Sequence, residues 1–296
     1  ISAPRLFLFV KKKKIALGRF ASKAPFPNQV GDMADILIPT VAQGLMWALM
    51  ALGVYITFRV LDIADLSVEG SFPLGAAVAA TALVSGYGVT AAFLLAAIAG
   101  ALAGIVTGIL TTKLKIPPLL AGILTMIGLY SVNLHVMGKA NVALLRVDTV
   151  FSYAAGMGLT SDMAMMAVGL VGVMLVGVIL YWFFGTELGT AIRATGCNSQ
   201  MARAQGVNTN SMIVLGLLIS NALVALSGAL VCQANGFADV GMGTGTIVIG
   251  LASVIIGEVL FGTRSFKNCL ISVILGSIVY RLVIAIAVSY THLTLP

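Results

Sequence analysis

Apolar residues form eight long runs along the chain, and short polar segments separate them. The runs cover residues 36–58, 72–87, 90–112, 118–137, 163–184, 211–232, 246–261 and 269–288. A helix needs about 20 residues to cross a bilayer, so six of these runs are long enough to span it. The second and seventh runs have about 16 residues and are expected to be short, broken or re-entrant. The pattern predicts an all-α polytopic membrane protein with about eight transmembrane or partly re-entrant helices.

The composition supports this class and excludes others. Only 9% of the 296 residues are charged, whereas soluble domains carry about 25%. The net charge of +7 comes mostly from residues 1–32, which hold seven basic residues and one acid, so the rest offers no basic surface for nucleic acid. The three cysteines form no CxxC pair and the chain has two histidines, so neither a metal site nor a cofactor is expected.

The two ends of the chain do not continue the pattern between them. Residues 1–32 contain a lysine run and three prolines, and Met33 stands directly before the first apolar run. Residues 289–296, SYTHLTLP, form a polar tail. We therefore expect 1–32 to be a non-native N-terminal extension, 33–288 to form the transmembrane domain, and 289–296 to be a non-native tail.

Basic residues set the predicted orientation, because the cytoplasmic loops of membrane proteins carry an excess of lysine and arginine. Alternate crossing from residue 33 places two of them, Lys139 and Arg146, on one side of the membrane. The other side receives seven, namely Arg59, Lys113, Lys115, Arg193, Arg203, Arg264 and Lys267. That second side is predicted to be cytoplasmic, so the polar loop 186–210 lies inside.

A short pattern occurs twice with an offset of 174 residues. The first copy joins Ala48-Leu-x-Ala-Leu to Ala64-Asp65, and the second joins Ala222-Leu-x-Ala-Leu to Ala238-Asp239. The copies fall on runs of opposite predicted direction, which is typical of transporters built from inverted repeats. Chance similarity is the alternative, because most of the shared residues are alanine and leucine.

The loop 186–210 is the longest polar interruption in the apolar half of the chain. Asn198 is a good helix N-cap, residues 199–205 predict two helical turns, and Gly206 stands where a C-terminal cap belongs. Met201, Ala202 and Ala204 are expected to form a small, mildly apolar surface beside Arg203. The helix is either a solvated loop element or a docking element that receives force from a soluble partner.

Several polar residues lie near or inside the predicted membrane helices, where ionisable groups are costly and often functional. The candidates for a translocation path are Asp65, Glu69, Asn221, Asp239 and Glu258. Structural roles are the alternative, because Asp62, Asp65 and Glu69 can cap the second run and Asp239 the seventh. Glu258 and Arg281 are expected either to pair with each other or to extend toward the interface.

No catalytic pattern is present, and a GxxxxGK[ST] nucleotide loop is absent from the sequence. An enzyme is therefore not expected, and any ATP must be hydrolysed on another chain. Gly100, Gly104 and Gly108 follow GxxxG spacing, which permits close helix packing and here favours general packing over a dimer face.

Four stretches, 44–80, 112–141, 186–209 and 220–262, together resemble the permease subunits of bacterial ABC importers in the branched-chain amino acid permease superfamily. The chain is most similar to the subgroup described as tryptophan/tyrosine permeases or permeases of uncharacterised solutes. The resemblance implies that the loop 186–210 carries a coupling helix for an ATPase subunit. The expected coupling residues, with Met201 and Arg203 added from the physical argument, are Gly189, Arg193, Ala194, Gly196, Asn198, Met201, Ala202, Arg203 and Gly206.

The resemblance also implies a bacterial inner-membrane location and partners. These are an ABC ATPase, a periplasmic or lipoprotein solute-binding protein, and a second permease copy in a homodimer. The expected cargo is an aromatic or branched-chain amino acid or a similar small solute. Related permeases continue with a further span beyond residue 288, so the final helix is expected to be missing. The alternative function is a self-contained secondary transporter with inverted repeats.

Overall fold

A computed structural model describes residues 31–145, 147–156, 158 and 160–294 of the chain. The chain divides into two units, residues 1–37 and 38–296, and the first of these is described only from residue 31 onward. The expected N-terminal extension 1–32 therefore lies outside the described residues except for its last two. That either end is non-native stays a prediction.

The described chain is almost entirely helical. Eleven α-helices are described: α1 (Gly31–Tyr55), α2 (Val68–Val84), α3 (Val89–Thr112), α4 (Pro118–Met137), α5 (Val150–Ala155), α6 (Ser161–Phe184), α7 (Glu187–Cys197), α8 (Ser199–Ala204), α9 (Thr209–Asn235), α10 (Thr246–Phe261) and α11 (Phe266–Thr294). A π-helical segment, Ile56–Val60, continues α1, and a 3₁₀ turn, Val240–Gly243, precedes α10.

Seven helical segments are long and apolar enough to cross a membrane. They are Leu37–Val60, Val89–Thr112, Pro118–Met137, Ser161–Phe184, Thr209–Asn235, Val240–Phe261 and Phe266–Val288, and α2 is a shorter apolar helix of 17 residues. The prediction of an all-α polytopic membrane protein is confirmed. The seventh apolar run becomes a 22-residue span because the 3₁₀ turn leads directly into α10.

Two short strands form a small antiparallel ribbon that the sequence analysis did not predict. β1 (Asn141–Ala143) pairs with β2 (Phe237–Asp239), and Val142 faces Ala238 in the register. The ribbon joins the segment after α4 to the segment after α9. Three-residue strands are too short to show the alternation of apolar and polar residues by which a strand is recognised in a sequence.

Helix α3 packs closely on α9 through its glycines. A Cβ atom at Gly100 would collide with the backbone of Asn221, and one at Gly104 would collide with the backbone of Leu217. At Gly108 a Cβ would lie 2.9 Å from the Cα of Val214. The predicted role of the GxxxG spacing in general helix packing is confirmed, because all three glycines contact a helix of the same chain.

Contacts between the helices follow the 174-residue offset of the sequence repeat. Ser220 Oγ donates to the carbonyl oxygen of Gly53 at 2.8 Å, and Ser227 Oγ donates to that of Met46 at 2.9 Å. The offset converts positions 46 and 53 into 220 and 227, so the two hydrogen bonds join equivalent pairs of positions, although the donor lies on α9 in both. Such contacts are expected when α1 and α9 pack antiparallel, and they agree with the inverted repeat that the sequence predicts.

The helices that flank this pair obey the same relation. A Cβ at Gly44 of α1 would lie 2.9 Å from the Cα of Ile278 in α11, and a Cβ at Gly104 of α3 would lie 2.8 Å from the Cα of Leu218 in α9. The offset of 174 relates position 44 to 218 and position 104 to 278, so these two contacts also join equivalent pairs of positions. The packing of α11 on α1 therefore repeats the packing of α3 on α9.

Candidate functional site

The loop 186–210 consists of two capped helices, α7 and α8. Thr186 Oγ1 accepts a hydrogen bond from the Gly189 N–H at 3.4 Å at the start of α7. Asn198 Oδ1 accepts from the N–H groups of Gln200 at 3.1 Å and Met201 at 3.0 Å, which caps α8 as predicted. Gly206 follows with φ +86°, a left-handed conformation that glycine adopts without strain. Helix α8 is confirmed, whereas α7 was not predicted.

One face of this helix pair is fastened to the transmembrane helices. A Cβ at Gly189 would collide with the backbone at the end of α6, and a Cβ at Gly196 would collide with the carbonyl oxygen of Val60. Ile192 between them is fully buried. Ala202 is also buried, with 5% exposure, so it does not belong to the exposed apolar surface that was predicted for α8. These residues hold the loop against the end of α1.

Other residues of the helix pair are exposed. Among the expected coupling residues, the exposed ones are Arg193, Ala194, Asn198, Met201, Arg203 and Gly206. The guanidinium of Arg193 lies 5.0 Å from the ring centroid of Phe266, and Arg203 Nε donates to Thr209 Oγ1 at 2.6 Å. Both arginines are therefore oriented by contacts within the chain, while the side chain of Met201 remains 60% exposed.

A cavity of about 480 Å³ lies beside the helix pair. It is enclosed by the segment after α1, the facing ends of α3 and α4, the junction of α7 with α8, and α9. Asp62 lines it in a left-handed conformation, with φ 55°, and its side chain makes no hydrogen bond to the described residues. The expectation that Asp62 caps α2 is therefore wrong, because its carboxylate faces the cavity instead.

A buried polar network joins the segment before α2 to the middle of α9. Asp65 accepts from the Ser67 N–H at 2.9 Å through Oδ1 and from Asn221 Nδ2 at 3.0 Å through Oδ2. Asn221 Oδ1 accepts from the hydroxyls of Ser67 at 3.1 Å and Ser71 at 2.5 Å. Asp65, Ser67, Ser71 and Asn221 have no solvent exposure. Asp65 binds the N–H of Ser67, the residue before α2, so it supports the turn that leads into α2 and does not cap the helix itself. Both path candidates, Asp65 and Asn221, contact protein rather than an open channel here.

The carboxylates of Glu69 and Asp239 also bind backbone N–H groups. Glu69 Oε1 accepts from the N–H of Gly245, the residue before α10, at 3.1 Å. Asp239 Oδ1 accepts from the Gly241 N–H at 2.7 Å and thereby caps the 3₁₀ turn before α10, as predicted. Glu69 differs from its expected role, because it supports the start of α10 rather than the start of α2.

Glu258 pairs with Arg59 and not with Arg281. Arg59 donates from Nε to Oε1 and from Nη2 to Oε2 of Glu258, each at 2.7 Å. The two residues lie at the C-terminal ends of the π-helical segment and of α10, both on the predicted cytoplasmic side. The expected pairing with Arg281 is wrong, because Arg281 lies on α11 with its guanidinium 4.1 Å from the ring centroid of Trp47. Arg59 was missed because it was assigned to a loop.

Comparison with protein families gives a match that covers most of the chain. Residues 36–294 match the model of the family described as "Branched-chain amino acid transport system / permease component". The chain belongs to this permease family. The permease is thus a multi-pass protein of a bacterial inner membrane and a transport subunit rather than a catalytic enzyme.

Curated relatives of the permease agree with the family. It is 42% identical over 253 residues to a tyrosine transport system permease protein of Clostridioides difficile, covering 86% of this chain and 83% of that one. It is 36% identical over 227 residues to the uncharacterized protein RP368 of Rickettsia prowazekii, covering 77% and 78%. It is 29% identical over 220 residues to an autoinducer 2 import system permease of Yersinia pestis, covering 71% and 58%.

Solved structures with a similar chain are more distant. A metal-chelate type ABC transporter in an inward-facing conformation aligns over 90% of the permease and 83% of its own chain, with 15% identity and a TM-score of 0.49. The PsaBC complex of Streptococcus pneumoniae aligns over 85% and 90%, with 15% identity and a TM-score of 0.40.

Proposed function

We propose that the permease is the membrane-spanning subunit of an ATP-driven importer and that the loop 186–210 couples it to a separate ATPase chain. The observation that carries the proposal is the construction of this loop. It is a pair of capped helices, one face of which is anchored to the transmembrane helices while the other is exposed. ATP binding and hydrolysis take place on the partner chain.

The anchored face is suited to transmit force. Because Gly189 and Gly196 place the α7 backbone directly against the ends of α6 and α1, α7 cannot move without moving those helices. A partner that pushes the loop therefore displaces both spans, and rigid-body movement of helices is a common way to switch access in transporters.

The exposed face has the composition of a protein interface. Methionine and arginine are enriched at protein contacts, and the loop exposes Met201 together with Arg193 and Arg203, whose guanidinium groups are already oriented. Side chains that are fixed before binding lose less entropy when the partner docks. We assign Arg193, Ala194, Asn198, Met201, Arg203 and Gly206 to the docking face, and Gly189, Gly196 and Ala202 to its anchor.

The cargo follows from the relatives. The tyrosine transport system permease of Clostridioides difficile shares 42% identity with this chain, so an amino acid is the proposed solute and an aromatic one is tested first. A branched-chain amino acid is the alternative. An extracytoplasmic solute-binding protein would deliver the cargo, and two permease copies would enclose the path as a homodimer.

Co-purification tests the coupling. The full chain is co-expressed with the ATPase encoded beside it, and the amount of ATPase that is retained is measured. We expect the variant Arg193→Glu plus Arg203→Glu to lose most of the ATPase, because reversing two oriented charges disrupts electrostatic complementarity. Met201→Glu, at a side chain that is 60% exposed, is expected to weaken retention as well.

A matched control separates docking from net charge. Lys113→Glu plus Lys115→Glu changes the same charge on exposed residues of the predicted cytoplasmic side and is expected to retain the ATPase. Each variant must elute as a single peak on size-exclusion chromatography. Equal retention by the loop variants and the control would remove the loop from the coupling mechanism.

A self-contained secondary transporter is the second candidate, and the repeat-related contacts of α1 and α9 favour it. That mechanism requires no ATPase. Uptake by the chain alone in liposomes, driven by an ion gradient and independent of ATP, would establish it.

A further inference from the structure

Arg281 is a cation within a membrane-spanning segment, and it faces the protein. It follows Ser277 by four positions on α11, and Ser277 Oγ donates to the carbonyl oxygen of Gly44 in α1 at 2.9 Å. The guanidinium of Arg281 lies 4.1 Å from the ring centroid of Trp47, also in α1. Trp47 in turn packs on Phe72, with ring centroids 5.2 Å apart.

Within the described residues, no carboxylate forms an ion pair with Arg281, whereas Arg59 pairs with Glu258. Arg281 Nε is buried and has no hydrogen-bond partner there. The residue as a whole is half-buried. A cation at this depth is costly unless it has a function, and an unpaired one still more so.

Stacking on Trp47 determines which part of the guanidinium is free. A cation–π contact uses the face of the planar group, and its N–H donors point outward in the plane. Those donors match the two oxygens of a carboxylate in a bidentate contact. The pair of Arg281 and Trp47 therefore presents an oriented carboxylate receptor that no described residue fills.

The receptor lies between the two repeats. Trp47 belongs to α1 of the first repeat and Arg281 to α11 of the second, and transporters of this construction bind solutes at such junctions. The 174-residue offset makes Asn221 the equivalent of Trp47 and Thr107 the equivalent of Arg281, and Thr107 Oγ1 donates to Thr125 Oγ1 at 3.0 Å. A neutral side chain therefore occupies the position equivalent to Arg281. The packing of these helices therefore does not require a cation.

We propose that Arg281, held by Trp47, binds the carboxylate of an amino acid as it crosses the permease. The inference rests on the proposed import of an amino acid, and it adds the contact that recognises the cargo. The contact is specific for the carboxylate and not for the side chain, so L-tyrosine and L-leucine are both expected to use it.

Ligand titrations of the purified full chain in lipid nanodiscs test the contact. The chain has two tryptophans, and Trp182 is 72% exposed, so Trp182→Phe leaves Trp47 as the reporter. We expect L-tyrosine, L-leucine and 3-(4-hydroxyphenyl)propionate, which all carry a carboxylate, to change the Trp47 fluorescence saturably. Tyramine, which lacks the carboxylate, is expected to have no such effect.

Variants locate the response. Arg281→Gln is expected to weaken binding by about tenfold to a hundredfold, the usual effect of losing a charged hydrogen bond. Arg281→Lys keeps the charge but loses the planar pair of N–H donors, so its affinity is expected to lie between those of the parent and of Arg281→Gln. If Arg281→Gln does not fold, Arg281→Lys is the variant that tests the contact. Lys139→Gln removes an exposed charge on the predicted outer side and should bind as the parent does.

The outcomes separate this inference from the proposed function. Equal responses to tyramine and L-tyrosine, no response to any carboxylate, or unchanged binding in both Arg281 variants would overturn the carboxylate contact, even if the ATPase complex forms and imports. A carboxylate response that depends on Arg281 in a chain that binds no ATPase would retain the contact and reject the ATP-driven importer.

Discussion

Two repeat-related contacts in this permease share their packing and differ in their polar chemistry. Beside the contact of α9 with α3, the Asn221 side chain of α9 is bonded to Asp65 and Ser67 before α2 and to Ser71 in α2, and every polar group of its amide has a partner. Where α1 meets α11, Trp47 occupies the position equivalent to Asn221 and carries the guanidinium of Arg281. The same glycine-mediated approach of helices thus lies beside a satisfied network on one side and, on the other, beside a cation that forms no ion pair with any residue the structure describes.

The difference shows what each contact contributes. A fully bonded network in a buried site fixes one arrangement of its helices, because breaking it leaves several polar groups without partners. An unpaired cation adds no such restraint and is open to a ligand. The α9 side is therefore expected to serve stability, and the α1 side to serve recognition.

Leucine substitutions at Asn221 and Arg281 are expected to give the largest difference in stability between the two sites. Asn221→Leu leaves Asp65 Oδ2 and the Ser67 hydroxyl without their partner in the interior, which is expected to cost on the order of 3 kcal/mol. Arg281→Leu removes an uncompensated charge and is expected to leave stability unchanged or raised. Thermal unfolding of the purified chains in one detergent measures both, and a lower melting temperature for Arg281→Leu than for Asn221→Leu would contradict this assignment of roles.

Gly44 and Gly104 lie in the two helix contacts that the 174-residue offset relates. Alanine at each position tests whether these contacts are packed equally closely. At Gly104 the new Cβ would collide with the carbonyl oxygen of Leu217, whereas at Gly44 its nearest neighbour, the Cα of Ile278, is 2.9 Å away. Both substitutions overpack the contact and are expected to lower the free energy of unfolding by about 1–3 kcal/mol. Gly104→Ala should cause the larger loss. Melting temperatures measure the order.

Gly128→Ala is the matched control for this pair, because Gly128 lies in α4 with no atom within 4 Å of its Cβ position. It is expected to be neutral or slightly stabilising, since alanine favours helix over glycine. Equal melting temperatures for all three variants would show that the close contacts at Gly44 and Gly104 do not determine the stability of the chain.

The helices and their close contacts could be predicted well from the sequence. Apolar runs fix the spans because a bilayer requires about 20 such residues, and the glycine spacing of α3 indicates a close helix contact. The cap of α8 was also readable, since Asn198 and Gly206 bracket two turns. Helix α7 was missed although Thr186 followed by Glu187 is a helix start signal, because the loop was interpreted from its second half.

The pairing of charges could not be predicted in the same way. Several arginines compete for one glutamate, and the choice depends on the rotation of α10 and α11 about their axes, which a sequence pattern determines only coarsely. Asp65 and Glu69 illustrate the same limit. Their capping chemistry was predictable, but the helix that each supports depends on how the two repeats meet.

Charge reversals provide the smallest and most specific test of the two arginine environments. Arg59→Glu with Glu258→Arg should recover part of the stability that either single change loses, by no more than about 1 kcal/mol, because Arg59 is 58% exposed and solvent screens the pair. Glu258→Arg with Arg281→Glu should recover nothing, since those side chains do not meet. A double-mutant cycle on melting temperatures measures both couplings. Recovery in the second pair but not the first would show that Glu258 serves Arg281, and the carboxylate receptor at Trp47 would then already be filled by the chain itself.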